Sequence, residues 1–289
     1  MKFLVAIVFA IFASFLACTC ARAFSISPLR FLVTVDPGST QTIAVTIKND
    51  EGHQIMVRPV VLGARQNVGG QTEFVRGIDR AEQWTKPSGN SFVIAKKSVK
   101  KISFTVTVPL SAGPGSHYLA VGAETISEQT GVGISGRLLT LLTVQVAGEA
   151  NEKVAINKWK AVKLFTTQKN WSFDSKIKND GNVEVPFVAS AIVRNWSGDE
   201  RASFPLTEKS VLLAGTGRTQ NYSFDVNGRH LWPGFYQVQM QVNYGLTGQT
   251  ATAIANLIYI PLWSWGVLGL IVLVIIGAFT SQYEFQMGR

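Results

Sequence analysis

TIAVTIKNDEG, residues 42–52, is the stretch from which the fold is read. Ile43, Val45 and Ile47 fall on every second position with Thr42, Ala44, Thr46 and Lys48 between them. Alternation of that kind puts one apolar and one polar face on a strand. Asn49-Asp50-Glu51-Gly52 then supplies turn formers that end it. Upstream, Ile26 to Val35 reads as a first strand, followed by the turn Asp36-Pro37-Gly38-Ser39, where proline presets φ and glycine takes the unusual one. Downstream the same grammar continues at Gln54 to Leu62, Phe92 to Ala95, Val99 to Val108, Ser116 to Ile126 and Ile134 to Val146. Ile78 to Trp84 is expected to make a helical turn. About seven strands at this spacing, with no helix long enough for a parallel crossover, point to an antiparallel sandwich over residues 24–147.

Gly148 to Lys153, GEANEK, is polar and interrupts the pattern, which marks a linker. Strands resume at Val154 to Thr166, Trp171 to Lys178, Val183 to Arg194, Ala202 to Leu206, Thr219 to Val226, Phe235 to Tyr244 and Thr250 to Ile260. Two landmarks recur in the same order. Ile47-Lys48-Asn49-Asp50 closes the second strand of the first module, and Ile177-Lys178-Asn179-Asp180 closes that of the second, where Asn179-Asp180-Gly181-Asn182 makes a tight turn. Pro114-Gly115 precedes Tyr118, and Pro233-Gly234 precedes Tyr236. Each tyrosine resembles the one that pins the penultimate strand of immunoglobulin-like sandwiches through a bond back to the chain. An internal repeat of landmarks predicts two copies of one unit. The expected fold class is therefore all-β: two tandem immunoglobulin-like β-sandwiches, residues 24–147 and 154–260, plus one C-terminal transmembrane helix.

That helix is expected at residues 261–279, since Leu262 to Phe279 carries no charge and would reach about 27 Å, near the thickness of a bilayer core. Tyr259, Trp263 and Trp265 at one end and Phe279, Tyr283 and Phe285 at the other suit the two headgroup levels. At the opposite end, Met1 to Ala23 has the early cation, apolar middle and Ala21-Arg22-Ala23 close of a secretory signal peptide. A lipoprotein signal using Cys18 or Cys20 is the alternative. The expected topology is single-pass in the cell membrane, ectodomain outside, with residues 280–289 as a cytoplasmic tail.

Both cysteines lie within the signal, so the processed chain holds none, and disulfides, thiolate nucleophiles and cysteine metal sites are excluded together. Removal of Lys2 and Arg22 lowers the formal charge of +9 to +7. A mildly basic exterior suits an anionic envelope polymer or lipid surface and is no nucleic-acid signature.

Asp36-Pro37-Gly38, the alternating strand ending at Asn49, Tyr118-Leu119-Ala120-Val121-Gly122, and Gly131-Val132-Gly133-Ile134 with Arg137 before a long last strand resemble the chaperone-like first module of the WxL-interacting protein family. The order of signal, PapD-like sandwich, second sandwich, span and tail is similar too. The tail lacks the basic cluster common in that family, and the second module matches loosely. The resemblance implies an envelope protein that binds secreted surface proteins of WxL type, peptidoglycan and sometimes host molecules.

Catalysis finds little footing. His53, His117 and His230 are far apart and no metal-ligand spacing occurs, so neither an enzyme nor a cofactor is expected. Asp79 and Glu82 beside Arg76 and Arg80 read as a solvated mixed-charge turn, and no glycine-rich loop cradles phosphate. Two features could bind partners. Arg137 to Val146, RLLTLLTVQV, is apolar on both faces, with Leu139 and Leu141 on one of them. Either the second module or the linker covers that face, or an outer edge accepts a partner's strand whose side chains fill its groove. Lys96, Lys97, Lys100 and Lys101 could contact anionic wall polymer, or could guard a strand edge against sticking. Asn170, Asn195 and Asn221 head glycosylation sequons wherever such glycans are made. The expected function is a membrane-anchored envelope protein that binds surface proteins, peptidoglycan or both. A membrane-tethered PapD-like chaperone for exported subunits is the alternative, and a passive stalk a third reading.

Overall fold

In a computed structural model, which describes residues 24–126, 136–229 and 231–287 and side chains through residue 277, the chain divides into two compact units. The first comprises the described residues up to Gly63 with Arg76–Ala112 and His117–Val144; the second comprises Ala64–Val75, Gly113–Ser116 and the residues from Gln145 on. The expected signal peptide, the Gly131 to Ile134 motif and His230 lie outside the described residues.

Strands β1 (Phe24–Ser27), β3 (Thr40–Asn49), β8 (Val99–Thr107) and β6 (Thr85–Pro87) form one sheet in the order β1-β3-β8-β6. A second runs β2 (Arg30–Val35), β10 (Arg137–Val146), β9 (Gly115–Ile126), β4 (Ile55–Gln66), β5 (Thr72–Val75), with β7 (Phe92–Ile94) also on β4. The expected helical turn is α1 (Ala81–Trp84). The apolar face read from residues 42–52 is buried as the alternation requires: Val45 and Ile47 have no exposure, and neither have Val57, Ile102, Phe104, Leu119, Val121, Leu142 and Val144.

The later strands repeat this plan. β11 (Val154–Ala161), β13 (Asn170–Asn179) and β16 (Gly217–Asp225) make one sheet; β12 (Phe165–Thr166), β18 (Gln249–Tyr259), β17 (Gly234–Tyr244), β14 (Val185–Asn195) and β15 (Glu200–Leu212) make the other in the order β12-β18-β17-β14-β15. In both copies the opening strand divides between the two sheets, and its second half lies beside the last strand. The second core is aromatic: Trp159 stacks on Phe173 at 4.7 Å, and Trp171 meets Tyr236 and Tyr259 at 5.5 and 5.6 Å. Trp159 keeps its one polar atom satisfied by donating Nε1–H to Val238 O at 2.8 Å. Tyr236 makes the expected bond back to the chain, donating its hydroxyl to Trp232 O at 2.7 Å.

The repeated Ile-Lys-Asn-Asp motif marks the same structural joint in both copies. Asn49 is fully buried; its Nδ2 donates to His53 O, Ile94 O and Ala95 O, and its Oδ1 accepts Glu51 N–H. Asn179 is fully buried; its Nδ2 donates to Val183 O and Leu212 O, and its Oδ1 accepts Gly181 N–H. The lysine and aspartate on either side form exposed ion pairs, Lys48–Asp50 at 2.9 Å and Lys178–Asp180 at 2.7 Å. The predicted linker is held at this joint too, since Asp180 N–H donates to Lys153 O and Asn182 Nδ2 donates to Glu149 O.

One expectation is corrected. A terminal helix, α2 (Leu262–Met287), begins where the apolar run begins. Yet among the described residues no helix is long and apolar enough to cross a membrane. The transmembrane helix, the membrane as a partner through it and the single-pass membrane localisation are therefore withdrawn. Ala64–Val75, which includes the end of β4 and all of β5, groups with the second compact unit. There Gln66 Nε2 donates to Val211 O at 3.2 Å, and Thr219 N–H donates to Val68 O at 2.6 Å.

Asn179→Ala strips two buried carbonyls and one N–H of their partner, at roughly 1–3 kcal/mol for each group left unsatisfied. It should lower the melting temperature and urea midpoint sharply, whereas Lys178→Ala removes only an exposed ion pair and should cost about 0.5 kcal/mol. Equal losses in the two variants would contradict the assignment of the joint to the amide.

Candidate functional site

The sheet that ends in β2 and β10 carries the candidate residues. β10 is not the outer strand: β2 lies beside it, and Leu141 N–H donates to Leu29 O at 3.0 Å. Thr140 Oγ1–H donates to Pro28 O at 2.7 Å. Before Pro28 the chain belongs to the other sheet, where Phe24 to Ser27 pair with Asn49 to Thr46 of β3. The start of β10, Arg137 to Leu139, therefore lies upstream of the residues at which β2 and its approach meet the strand.

Side chains along β10 divide as the period of two requires. Leu142, Val144 and Val146 enter the core, while Leu139 and Leu141 take the opposite face and are half-buried. Leu139 is not free there, because it packs against Val60, Leu62 and Ala120, which form a small buried cluster of their own. On the same face Glu124 sits between two guanidinium groups: Arg58 Nε at 3.0 Å and Arg137 Nη2 at 2.8 Å. Arg58 also makes a close Nη2 contact with the carboxylate. Register explains the grouping, since Arg58 stands opposite Glu124 and Leu62 opposite Ala120. Hydrogen bonds from Arg58 and then Arg137, against a smaller opposing effect of burial, hold the Glu124 carboxyl below the usual range. Both arginines keep about half their side-chain surface exposed, at 60% and 45%. Gly122 lies next along β9, and a Cβ there would come within 2.0 Å of Leu138 O. β9 and β10 thus approach as closely as they do only because that residue has no side chain.

The four lysines do not act as one patch. Lys97 folds back, donating Nζ–H to Asp50 O at 2.6 Å, and Lys100 lies over the Phe92 ring at 5.7 Å. Lys101 takes the face opposite Ile102 and Phe104, and Lys96 is exposed. β6 covers β8 only from Phe104 on, with Ser88 N–H donating to Ser103 O. Lys100 and Lys101 thus occupy a stretch of β8 that β6 does not reach.

Sequence reading underrated Asp79. Its turn is built rather than merely solvated: Glu82 accepts the N–H groups of Gly77, Ile78 and Asp79, and Asp79 accepts those of Ala81 and Tyr118. His117 Nδ1 lies 2.9 Å from Asp79 Oδ1, and its ring meets Trp84 edge-on at 4.7 Å. The spacing 79 to 117 hides this pairing in the sequence, because only the fold brings α1 to β9. Among the described residues no group of three or more histidine, aspartate or glutamate side chains could hold a metal ion.

No family model and no curated protein sequence matches the chain. Membership of the WxL-interacting family gains no support from either comparison. Solved structures overlap it at low identity. One is a chain of the chaperone–tip adhesin complex of CFA/I fimbriae biogenesis, with 12% identity, 81% of this chain and 98% of that chain covered, and a TM-score of 0.48. Another is the class 5 fimbriae chaperone CfaA, with 13% identity, coverage of 83% and 100%, and a TM-score of 0.46. A third is the CsuC–CsuE chaperone–tip adhesion subunit complex from Acinetobacter baumannii, with 14% identity, coverage of 81% and 98%, and a TM-score of 0.39. The immunoglobulin-like assignment here rests on the strand order of the chain itself.

Burial alone would raise the Asp79 carboxyl, but hydrogen bonds from His117, Ala81 N–H and Tyr118 N–H outweigh it and the group is held below the usual range. A carboxyl depressed in the folded state adds stability above its unfolded value, about pH 4, and that stability is lost as pH falls through the folded value. Asp79→Asn should therefore be less stable than wild type at pH 7 in urea titrations, with the gap narrowing as pH falls below about 4. A gap that stays constant across that range would refute the linkage.

Proposed function

We infer that the chain is a non-catalytic chaperone or assembly factor that holds exported subunits by accepting one of their strands at the start of β10. The observation that carries this reading is the departure of the opening strand to the other sheet at Ser27, upstream of its contacts with β10. Strand addition needs such an interval, where main-chain groups supply affinity and alternate side chains supply fit. Leu139 and the exposed parts of Arg58 and Arg137 flank it, offering an apolar contact and two cations that could meet an acidic or carboxylate group. The overlapping solved structures are of fimbrial chaperones, two of them in complex with tip subunits, which agrees with this reading without carrying it. Stable binding of WxL-type surface proteins would use the same strand and differ in the lifetime of the complex.

A photo-crosslinking residue in place of Leu139 tests both in intact cells. Transient adducts to newly exported proteins, chased away within minutes, are the expected result, and Arg137→Ala should reduce them several-fold without changing the circular dichroism spectrum. Adducts that persist indicate the stable surface complex instead, and an absence of adducts from folded protein defeats the strand-holding reading.

A further inference from the structure

Sheet edges expose unpaired N–H and C=O groups, and proteins guard them with bulges, proline, charge or shortness. In the second sandwich, β15 shows these devices together. Its register with β14 shifts at three places, and it carries Pro205, Glu200, Arg201, Glu208 and Lys209. β18, at the other side of the same sheet, shows none of them. Its pairing with β17 runs from Tyr244↔Gln249 to Gly234↔Tyr259 without a shift, and Gln249 to Tyr259, QTATAIANLIY, contains no charge, proline or glycine. The position that the six-residue β2 holds beside β10 is held beside β18 by β12, which has two residues and pairs only with Ile258 and Tyr259.

The direction of the open groups follows from the bonds at that end. Ile258 N–H donates to Leu164 O and Ile260 N–H to Thr166 O, so even-numbered residues of β18 turn their main-chain groups away from β17. By the period of two, Thr250, Thr252, Ile254 and Asn256 present N–H and C=O along the part of the edge that β12 does not pair, among the described residues. A cleft of about 450 Å³, lined from β11 by Trp159, Lys160 and Ala161, then by Val162 and Leu164, and from β18 by Ala255 and Asn256, leaves space beside it.

We propose that this edge pairs with the β18 edge of a second copy of the chain, antiparallel about a two-fold axis at Ala253. The sequence is self-complementary under that operation. Thr252 stands opposite Ile254 of the partner subunit and Thr250 opposite Asn256 of the partner subunit, all exposed, while Ala251, Ala253 and Ala255 are small enough for the inner face. About eight main-chain hydrogen bonds form, and no like charges oppose. The same arrangement carries Leu246, 90% exposed in the β17–β18 turn, toward Val162 and Leu164 of the partner subunit, which are 53% and 61% exposed. This interface is independent of the start of β10 and does not require the strand-holding function.

Sedimentation equilibrium of the full chain at tens of micromolar should give a dimer. Thr252→Lys with Ile254→Lys, at exposed positions, should weaken it at least tenfold with unchanged circular dichroism and melting temperature. Ala253→Cys, on the axis, should give a disulfide-linked dimer under mild oxidation, with the unsubstituted chain as control for Cys18 and Cys20. A chain that stays monomeric at these concentrations, whether its edge is empty or taken by another protein's strand, overturns the proposal. A dimer indifferent to the two lysines, with no crosslink that depends on Ala253→Cys, overturns it as well.

Discussion

The buried amide that ends the second full strand of each sandwich is the constraint on which both modules depend. A strand leaving the core must turn where water cannot reach, and the carbonyls there need a donor. Asn49 and Asn179 each supply it from one side chain, donating through Nδ2 to backbone on two other segments and accepting a local N–H through Oδ1. Aspartate would bring acceptors without donors and alanine neither, so the residue type follows from the number of groups to be satisfied. The flanking lysine and aspartate recur as well, but they are solvated and contribute far less.

Much of this was legible in residues 42–52 and their echo at 172–182. Period-two alternation gave the strands, and repetition of Ile-Lys-Asn-Asp gave the duplication, because both are local properties of the chain. The Tyr236 bond was legible for the same reason, with donor and acceptor four residues apart. What escaped was long-range. Asp79 and His117 are 38 positions apart and meet through the fold. The Glu124 pairing with Arg58 and Arg137 depends on strand register, which alternation does not specify. The assignment of residues 64–75 to the second unit depends on Gln66, whose partners lie near residue 213. The apolar run at Leu262 was read by length and composition, yet among the described residues no helix is long and apolar enough to cross a membrane.

Edges tell a similar story about candidate sites. Leu139 and Leu141 drew notice because their strand is apolar on both faces, and Leu139 proved to be partly occupied with Val60, Leu62 and Ala120. The lysines at 96–101 drew notice as a cluster, and the fold distributes them among a turn, an aromatic ring and a bare strand end. A sequence shows which residue types are near one another along the chain. Which backbone groups remain unpaired is set by where neighbouring strands stop, and that is visible only in the sheet.

The division of each opening strand between two sheets also orders events in time. Its second half pairs with the last strand of its own sandwich, so neither sheet system is complete until that strand exists: residue 165 waits for residue 258. Pairings of such sequence separation are entropically slow to form. The first sandwich has its final strand by Val146, more than a hundred residues before the second has β18. A chain delivered from its N-terminus would thus spend an interval with one sandwich able to close and the strands of the other still unpaired. The aromatic core of the second sandwich is the part most in need of shelter during that interval.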